Sequence, residues 1–155
     1  MAELSTEHTA EQDTRVRLAV YGAFAAGAVP TRADVARATG LTPGVVAESY
    51  ERLADAHVLV LDPTTGEVWM AMPFSAVPTE FRVVAGETAW WANCAWDALG
   101  VAVTTERAVG VATRCADCGE PIALDVGPED GPRFAAGVVH FAVPAARWWD
   151  DIGFT

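Results

Sequence analysis

Three helix patterns follow one another in the first part of the chain and constrain how it can fold. Apolar side chains recur every three or four residues over 14–27, which predicts an amphipathic helix. A second helix is predicted over 32–39, where Gly40 ends it. Thr42 has the side chain of a helix N-cap and precedes a third apolar pattern. The sequence therefore predicts a helical N-terminal unit.

Two short apolar runs come directly after the third helix, at 58–61 and 68–72. Between them lies Asp62-Pro63-Thr64-Thr65-Gly66, a composition typical of a turn. The two runs are therefore predicted to pair as a β-hairpin.

Three helices and a hairpin are the outline of a winged helix, and 31–42 is typical of a helix-turn-helix. We expect a winged-helix-like domain over 14–78, preceded by a disordered tail over 1–13. DNA binding is opposed by the charge of the third helix, which sets three acidic side chains against Arg52. The chain has a net charge of −11, and its ten basic residues are all arginine. We expect no nucleic acid partner, because binding to polyanions depends on cationic side chains.

The composition indicates a globular protein. Of its 155 residues 52% are hydrophobic, and no apolar run approaches the length of a transmembrane helix. No signal peptide is recognised at the start of the sequence, so a cytoplasmic location without a membrane partner is expected. Three cysteines without a secretory signal favour reactive or metal-binding thiols over a disulfide framework.

The second half of the sequence predicts a small α+β core over 79–155 with an antiparallel sheet. Apolar runs indicate three strands, at 108–114, 121–126 and 137–143. The segment 127–132 has the composition of a loop, and a short helical piece is predicted over 145–151.

The segment Asn93-Cys94-Ala95-Trp96-Asp97 carries the first candidate site. It lies in an apolar, tryptophan-rich stretch that we expect to be helical, and residues three apart are neighbours on a helix surface. Cys94 could bind a soft ligand while Asp97 gives or takes a proton. The alternative is structural, with Cys94 as a small core side chain and Asp97 as a solvated helix residue.

A second candidate site is the Cys-x-x-Cys-Gly segment that begins at Cys115. Such a turn commonly supplies two thiolates, here Cys115 and Cys118, to tetrahedral zinc, but a closed zinc site needs four ligands. Cys94, His140 or His57 would have to complete the set from other elements.

Several segments together resemble the alkylmercury (organomercurial) lyase family. They are Trp90-Trp91-Ala92-Asn93-Cys94-Ala95-Trp96-Asp97-Ala98-Leu99, Arg114-Cys115-Ala116-Asp117-Cys118-Gly119-Glu120-Pro121-Ile122, Val126-Gly127-Pro128-Glu129 and Phe141-Ala142-Val143-Pro144. The resemblance covers 15–155 and is most specific around Cys94 and Asp97. It implies that this cysteine and aspartate take part in breaking carbon–mercury bonds.

The resemblance also implies roles for the remaining thiols. Cys115 falls on a cysteine regarded as structural in the family, and Cys118 has no counterpart there. The family's second catalytic cysteine follows a stretch resembling 148–154, whereas the sequence given ends at Thr155. We therefore expect either a core that lacks its C-terminal part or a chain that works without this cysteine.

These observations lead to one principal hypothesis and one alternative. The principal hypothesis is protonolytic cleavage of a small organomercurial, with Cys94 capturing mercury and Asp97 donating the proton. No cofactor is required, since mercury belongs to the substrate. The alternative is a thiol-rich module that binds or senses zinc or mercury without catalysis, in which Cys115 and Cys118 are weaker metal candidates. The sequence does not indicate an oligomeric state.

Overall fold

The computed structural model describes residues 2–133 and 137–153 of the chain. Four α-helices and a 3₁₀ helix are present: α1 (Ala2–Ala25), α2 (Arg32–Thr39), α3 (Pro43–Asp55), α4 (Ala95–Thr105) and a 3₁₀ helix at Ala145–Asp150. Eight strands accompany them: β1 (Val60–Leu61), β2 (Val68–Ala71), β3 (Phe74–Ser75), β4 (Phe81–Ala85), β5 (Thr88–Ala92), β6 (Val109–Arg114), β7 (Pro121–Gly127) and β8 (Gly131–Arg133).

All eight strands form one antiparallel sheet in the order β1-β2-β3-β5-β4-β6-β7-β8. The α+β class predicted from the sequence is confirmed. The sheet also crosses the predicted domain boundary at 78/79, because β3 pairs with β2 on one side and with β5 on the other. The hairpin of the first half and the sheet of the second half are thus one structure.

An aromatic group joins the helices to this sheet. The rings of Phe24 in α1 and Phe74 in β3 stack with centroids 5.6 Å apart, and Phe74 also contacts Trp90 in β5 at 6.4 Å. The indole Nε1 of Trp90 donates a hydrogen bond to the carbonyl oxygen of Phe24 over 2.6 Å. All three side chains are buried, so α1 and the central strands share one core.

Local capping signals set both bounds of α2 and the start of α3. Thr31 begins α2 with a capping box, in which its hydroxyl accepts from the backbone N–H of Asp34 while the Asp34 carboxylate accepts from the backbone N–H of Thr31. Gly40 ends the helix in the left-handed conformation at φ +70°. Thr42 caps α3 through the N–H of Val45, as its side chain predicted.

The expected disordered tail over 1–13 differs from the structure, in which α1 begins at Ala2. One physical reason is an ion pair at the end of this segment. The Asp13 carboxylate pairs with the Arg52 guanidinium of α3 at 2.7 Å, and further hydrogen bonds join the same two groups. This contact fixes the end of the predicted tail region against α3, within the first helix.

The strand predicted over 137–143 is wrong, because none of these residues is in a strand. The last strand of the sheet is instead β8, which lies partly in the predicted loop at 127–132. Gly131, at φ +71°, allows the tight reversal between β7 and β8. Within this segment Phe141 contacts the rings of Trp96 and Trp148 instead of pairing in the sheet.

Three helices and the β1–β2 hairpin occur in the predicted order. Their use as a helix-turn-helix stays a prediction. In the described part of the chain, no helix has both the length and the hydrophobicity needed to cross a bilayer.

Candidate active site

Cys94 lies at the junction between the sheet and α4. Strand β5 has neighbours on both sides, β3 and β4, and Cys94 follows two residues after its end. The expectation that Cys94 sits within a helix is wrong, because it has an extended backbone (φ −150°, ψ −179°) and is the N-cap of α4. Trp90 and Trp91 also lie outside the helix, in β5. The strand ends where the chain must turn into the helix.

The Cys94 sulphur takes the place of the oxygen that usually caps a helix. It accepts a hydrogen bond from the backbone N–H of Asp97 over 3.4 Å, and the N–H of Trp96 also points to it. The positive end of the helix dipole therefore faces the sulphur. The Cys94 thiol and the Asp97 carboxyl group are close enough for each to shift the pKa of the other.

Asn93 fixes the Asp97 carboxyl group from its other side. Its Nδ2 donates to Asp97 Oδ2 over 3.1 Å and to the carbonyl oxygen of Phe74 over 3.2 Å. The amide thereby connects the carboxyl group to β3. Asn93 Oδ1 is buried and has no hydrogen-bond partner among the described atoms.

Burial dominates the acid–base properties of the pair. It raises the pKa of the Asp97 carboxyl group, against the lowering effects of the hydrogen bonds from Asn93 and Cys94. Burial, assisted by the nearby Asp97 charge, also raises the pKa of the Cys94 thiol, although two backbone N–H groups oppose this. The pair therefore holds protons more tightly than its separate members would in water.

A cavity of about 370 Å³ opens onto both groups. Its floor is formed by the start of α4, and apolar side chains from β2, the loop after it and β4 form one wall: Met70, Met72 and Phe81. The opposite wall comes from the segment 139–153. Sulphur and apolar surfaces thus surround a thiol and a carboxyl group, which suits a ligand that is soft and largely apolar.

The segment 139–153 covers the cavity through aromatic contacts. The ring of Phe141 lies 6.2 Å from Trp96, edge to face, and 5.1 Å from Trp148. Trp148 donates its indole N–H to the carbonyl oxygen of Val143 over 2.9 Å. We name residues 139–153 the cover segment.

The other predicted site residues lie apart from this cavity, with one exception. His140 lines the cavity, whereas His57 stacks on Trp149 at 4.0 Å. Cys115 and Cys118 lie at the turn between β6 and β7 and are absent from the described cavity lining. Among residues 2–133 and 137–153, no group of three or more His, Cys, Asp or Glu side chains is placed to hold a metal ion. Cys115 and Cys118 are therefore not joined with Cys94 into the predicted zinc site in this part of the chain.

The sequence interpretation gave no role to Asn93 or to the aromatic residues of the cover segment. Asn93 directly precedes Cys94, and a polar residue in an apolar strand end was the signal that could have identified it. The cover segment offered no comparable signal, because its contacts join residues about fifty positions apart.

The molecule is thus an α+β protein with a thiol and a carboxyl group in one apolar pocket. A profile of the alkylmercury lyase family, described as MerB, matches residues 74–155, which include this whole pocket except Met70 and Met72. The chain belongs to the alkylmercury lyase family.

Comparison with solved structures gives a related fold. The crystal structure of the mercury-bound form of MerB2 matches with a TM-score of 0.62 and 23% sequence identity, over 79% of this chain. The match covers 59% of the MerB2 chain, so the present chain spans about three fifths of that protein. No curated protein sequence gives a significant match.

Proposed function

We propose that this chain cleaves the carbon–mercury bond of small organomercurials by protonolysis, with Cys94 capturing mercury and Asp97 delivering the proton. The observation that supports this most directly is the hydrogen-bonded Cys94–Asp97 pair at the base of an apolar cavity. Membership of the alkylmercury lyase family supports the same chemistry.

The first step is capture of the mercurial by the thiol. Mercury is a soft metal and binds thiolates strongly. The Cys94 sulphur replaces the weakly held ligand X of an R–Hg–X compound, so that an S–Hg bond forms, X leaves as an anion and the thiol proton passes to the neighbouring Asp97 carboxylate. The backbone N–H groups at the start of α4 stabilise the sulphur while its charge develops.

The second step is protonation of carbon. The Asp97 carboxyl group now holds the proton beside the bound R–Hg group and delivers it to the carbon as the carbon–mercury bond breaks. Hydrocarbon leaves, and mercury stays bound to the Cys94 sulphur. The raised pKa of Asp97 suits this role, because a buried carboxyl group keeps its proton until the carbon accepts it.

A second thiolate on mercury accelerates this cleavage by raising electron density on the carbon. Cys94 is the one thiol among the described residues that line the cavity, and Cys118 is not among them. We infer that a small thiol from solution can supply this second sulphur.

The test is hydrocarbon release from a simple alkylmercury or arylmercury compound. Asp97→Asn should retain capture of the mercurial, seen as added mass, while release falls by about 10²-fold or more. Cys94→Ser should lose both capture at this site and release. Matched controls are Asp125→Asn, an exposed aspartate on β7, and Cys118→Ser, which lies outside the described cavity lining. Undiminished release in Asp97→Asn would refute the proton-donor role.

A further inference from the structure

A second pair of thiols lies at the turn between β6 and β7, away from the cavity of Cys94. The turn runs from Cys115 to Glu120 and is closed by two backbone hydrogen bonds. The N–H of Cys115 donates to the carbonyl oxygen of Glu120 over 2.8 Å, and the N–H of Gly119 donates to that of Cys115 over 2.9 Å. Gly119 adopts φ +74°, where other residues are strained. The backbone thus fixes the two cysteines on one short turn.

The closed turn places the two cysteines three residues apart. The backbone N–H groups of Cys118 and Asp117, together with the Cys118 thiol, lower the pKa of the Cys115 thiol. Cys118 is exposed and Cys115 is partly exposed. Two free thiols therefore lie on one short, hydrogen-bonded turn, and both are at least partly accessible to solvent.

The number of donors selects the kind of metal. Structural zinc needs four ligands, and within the described ranges no third His, Cys, Asp or Glu side chain joins this pair in a metal-binding group. Hg²⁺ is satisfied by two thiolates in a near-linear arrangement, and thiolates are the ligands that soft cations prefer. A pair of thiols without further ligands suits mercury and not zinc.

We propose that Cys115 and Cys118 form a second mercury site, which binds one inorganic Hg²⁺ ion between their two sulphur atoms. Two S–H bonds break, two S–Hg bonds form and two protons enter solution, with no change of oxidation state. The site is separate from the proposed cleavage at Cys94 and does not depend on it.

The test uses the Cys94→Ser protein, fully reduced and titrated with HgCl₂ in the presence of a competing monothiol. We expect native mass spectrometry to show a monomer with one Hg²⁺ and two fewer protons. Replacing Cys118 by Ser as well should lower the affinity by about 10²- to 10⁴-fold, because the second thiolate otherwise binds intramolecularly. Ala116→Ser in the same background is the matched control and should bind as tightly as its parent.

Three results would overturn the site. They are a loss of less than about tenfold on removal of Cys118, an ion that bridges two protein molecules, or Zn²⁺ binding as tight as Hg²⁺ binding under the same competition. Circular dichroism of each variant establishes that its fold is retained. Because the test lacks Cys94, its outcome is independent of whether the chain cleaves carbon–mercury bonds.

Discussion

The Asn93 amide donates to the Asp97 carboxylate over 3.1 Å and anchors it to the carbonyl oxygen of Phe74. A hydrogen bond donated to a carboxylate stabilises its charged form and lowers its pKa. Asn93 thus opposes the effect of burial on the pKa of Asp97 and favours the ionised carboxylate, which is the form that accepts the Cys94 proton in the proposed cleavage.

We predict that Asn93→Ala moves the acid limb of the pH profile of kcat/KM for hydrocarbon release to higher pH. The pKa of Asp97 rises further once the amide is gone, and the acid limb reports ionisation in the free protein. Thr79→Ala, which removes a hydroxyl that donates to the carbonyl oxygen of Ala92 near the same strand end, is the control for local disturbance. If the acid limb stays at the same pH while kcat/KM falls, the role of Asn93 is packing and not control of the pKa of Asp97.

Asp97→Asn should make the protein more stable at neutral pH while it abolishes release. The pKa of Asp97 is raised by burial in the folded state, so the wild-type protein loses stability as pH rises through that folded pKa. The asparagine side chain in the variant does not ionise over this pH range. The gain in melting temperature should therefore be largest at neutral pH, shrink as pH falls through the folded pKa, and vanish below the pKa of an unfolded aspartate.

Thermal unfolding of both proteins between about pH 3 and pH 8 measures this difference. Asp125→Asn serves as the control, because that side chain is exposed and exposed substitutions change stability little. A gain that is independent of pH would contradict the assignment to Asp97 ionisation.

Hydrocarbon release should depend on a small thiol in solution. In a single turnover, the captured mercurial should release hydrocarbon at least about tenfold faster with excess thiol, equal to about 1.4 kcal/mol in the barrier. The control replaces the added thiol by the alcohol with the same carbon skeleton, since oxygen is a poor ligand for a soft metal. Equal rates with and without thiol would mean that the chain supplies both sulphur atoms.

The sequence allowed some elements to be predicted and not others, for physical reasons. The bounds of α2 were predicted correctly because its start and end depend on Thr31 and Gly40, which act locally. Cys94 meets Asp97 because a helix N-cap lies beside the third residue of its helix, whereas the sequence predicted both residues within the helix. The pairing of β3 with β5 and the covering of the cavity by Phe141 depend on contacts between distant residues, and no local pattern encodes them.

Trp90→Phe should destabilise the whole molecule in one cooperative transition. The substitution removes the 2.6 Å hydrogen bond to Phe24 and leaves its buried carbonyl oxygen without this donor, at a cost of about 1–3 kcal/mol in the free energy of unfolding. Urea denaturation followed by circular dichroism measures the loss. Trp91→Phe, at a half-buried position against Arg82, should cost less than about 1 kcal/mol.

Two separate urea transitions in the Trp90→Phe variant would contradict a shared core. They would mean that the predicted N-terminal domain over 14–78 unfolds independently of β5, the strand that leads to Cys94. One transition, at lower urea concentration, is the expected result.

The position of β5 between two other strands has a consequence for the timing of ligand entry. Amides next to Cys94, at 90–92, should exchange their hydrogens only in rare opening events, since the sheet protects them on both edges. The described cover segment contains no strand, and its amides should exchange many times faster. A mercurial would then reach a thiol whose backbone stays fixed, at a rate set by how often the aromatic side chains of the cover separate.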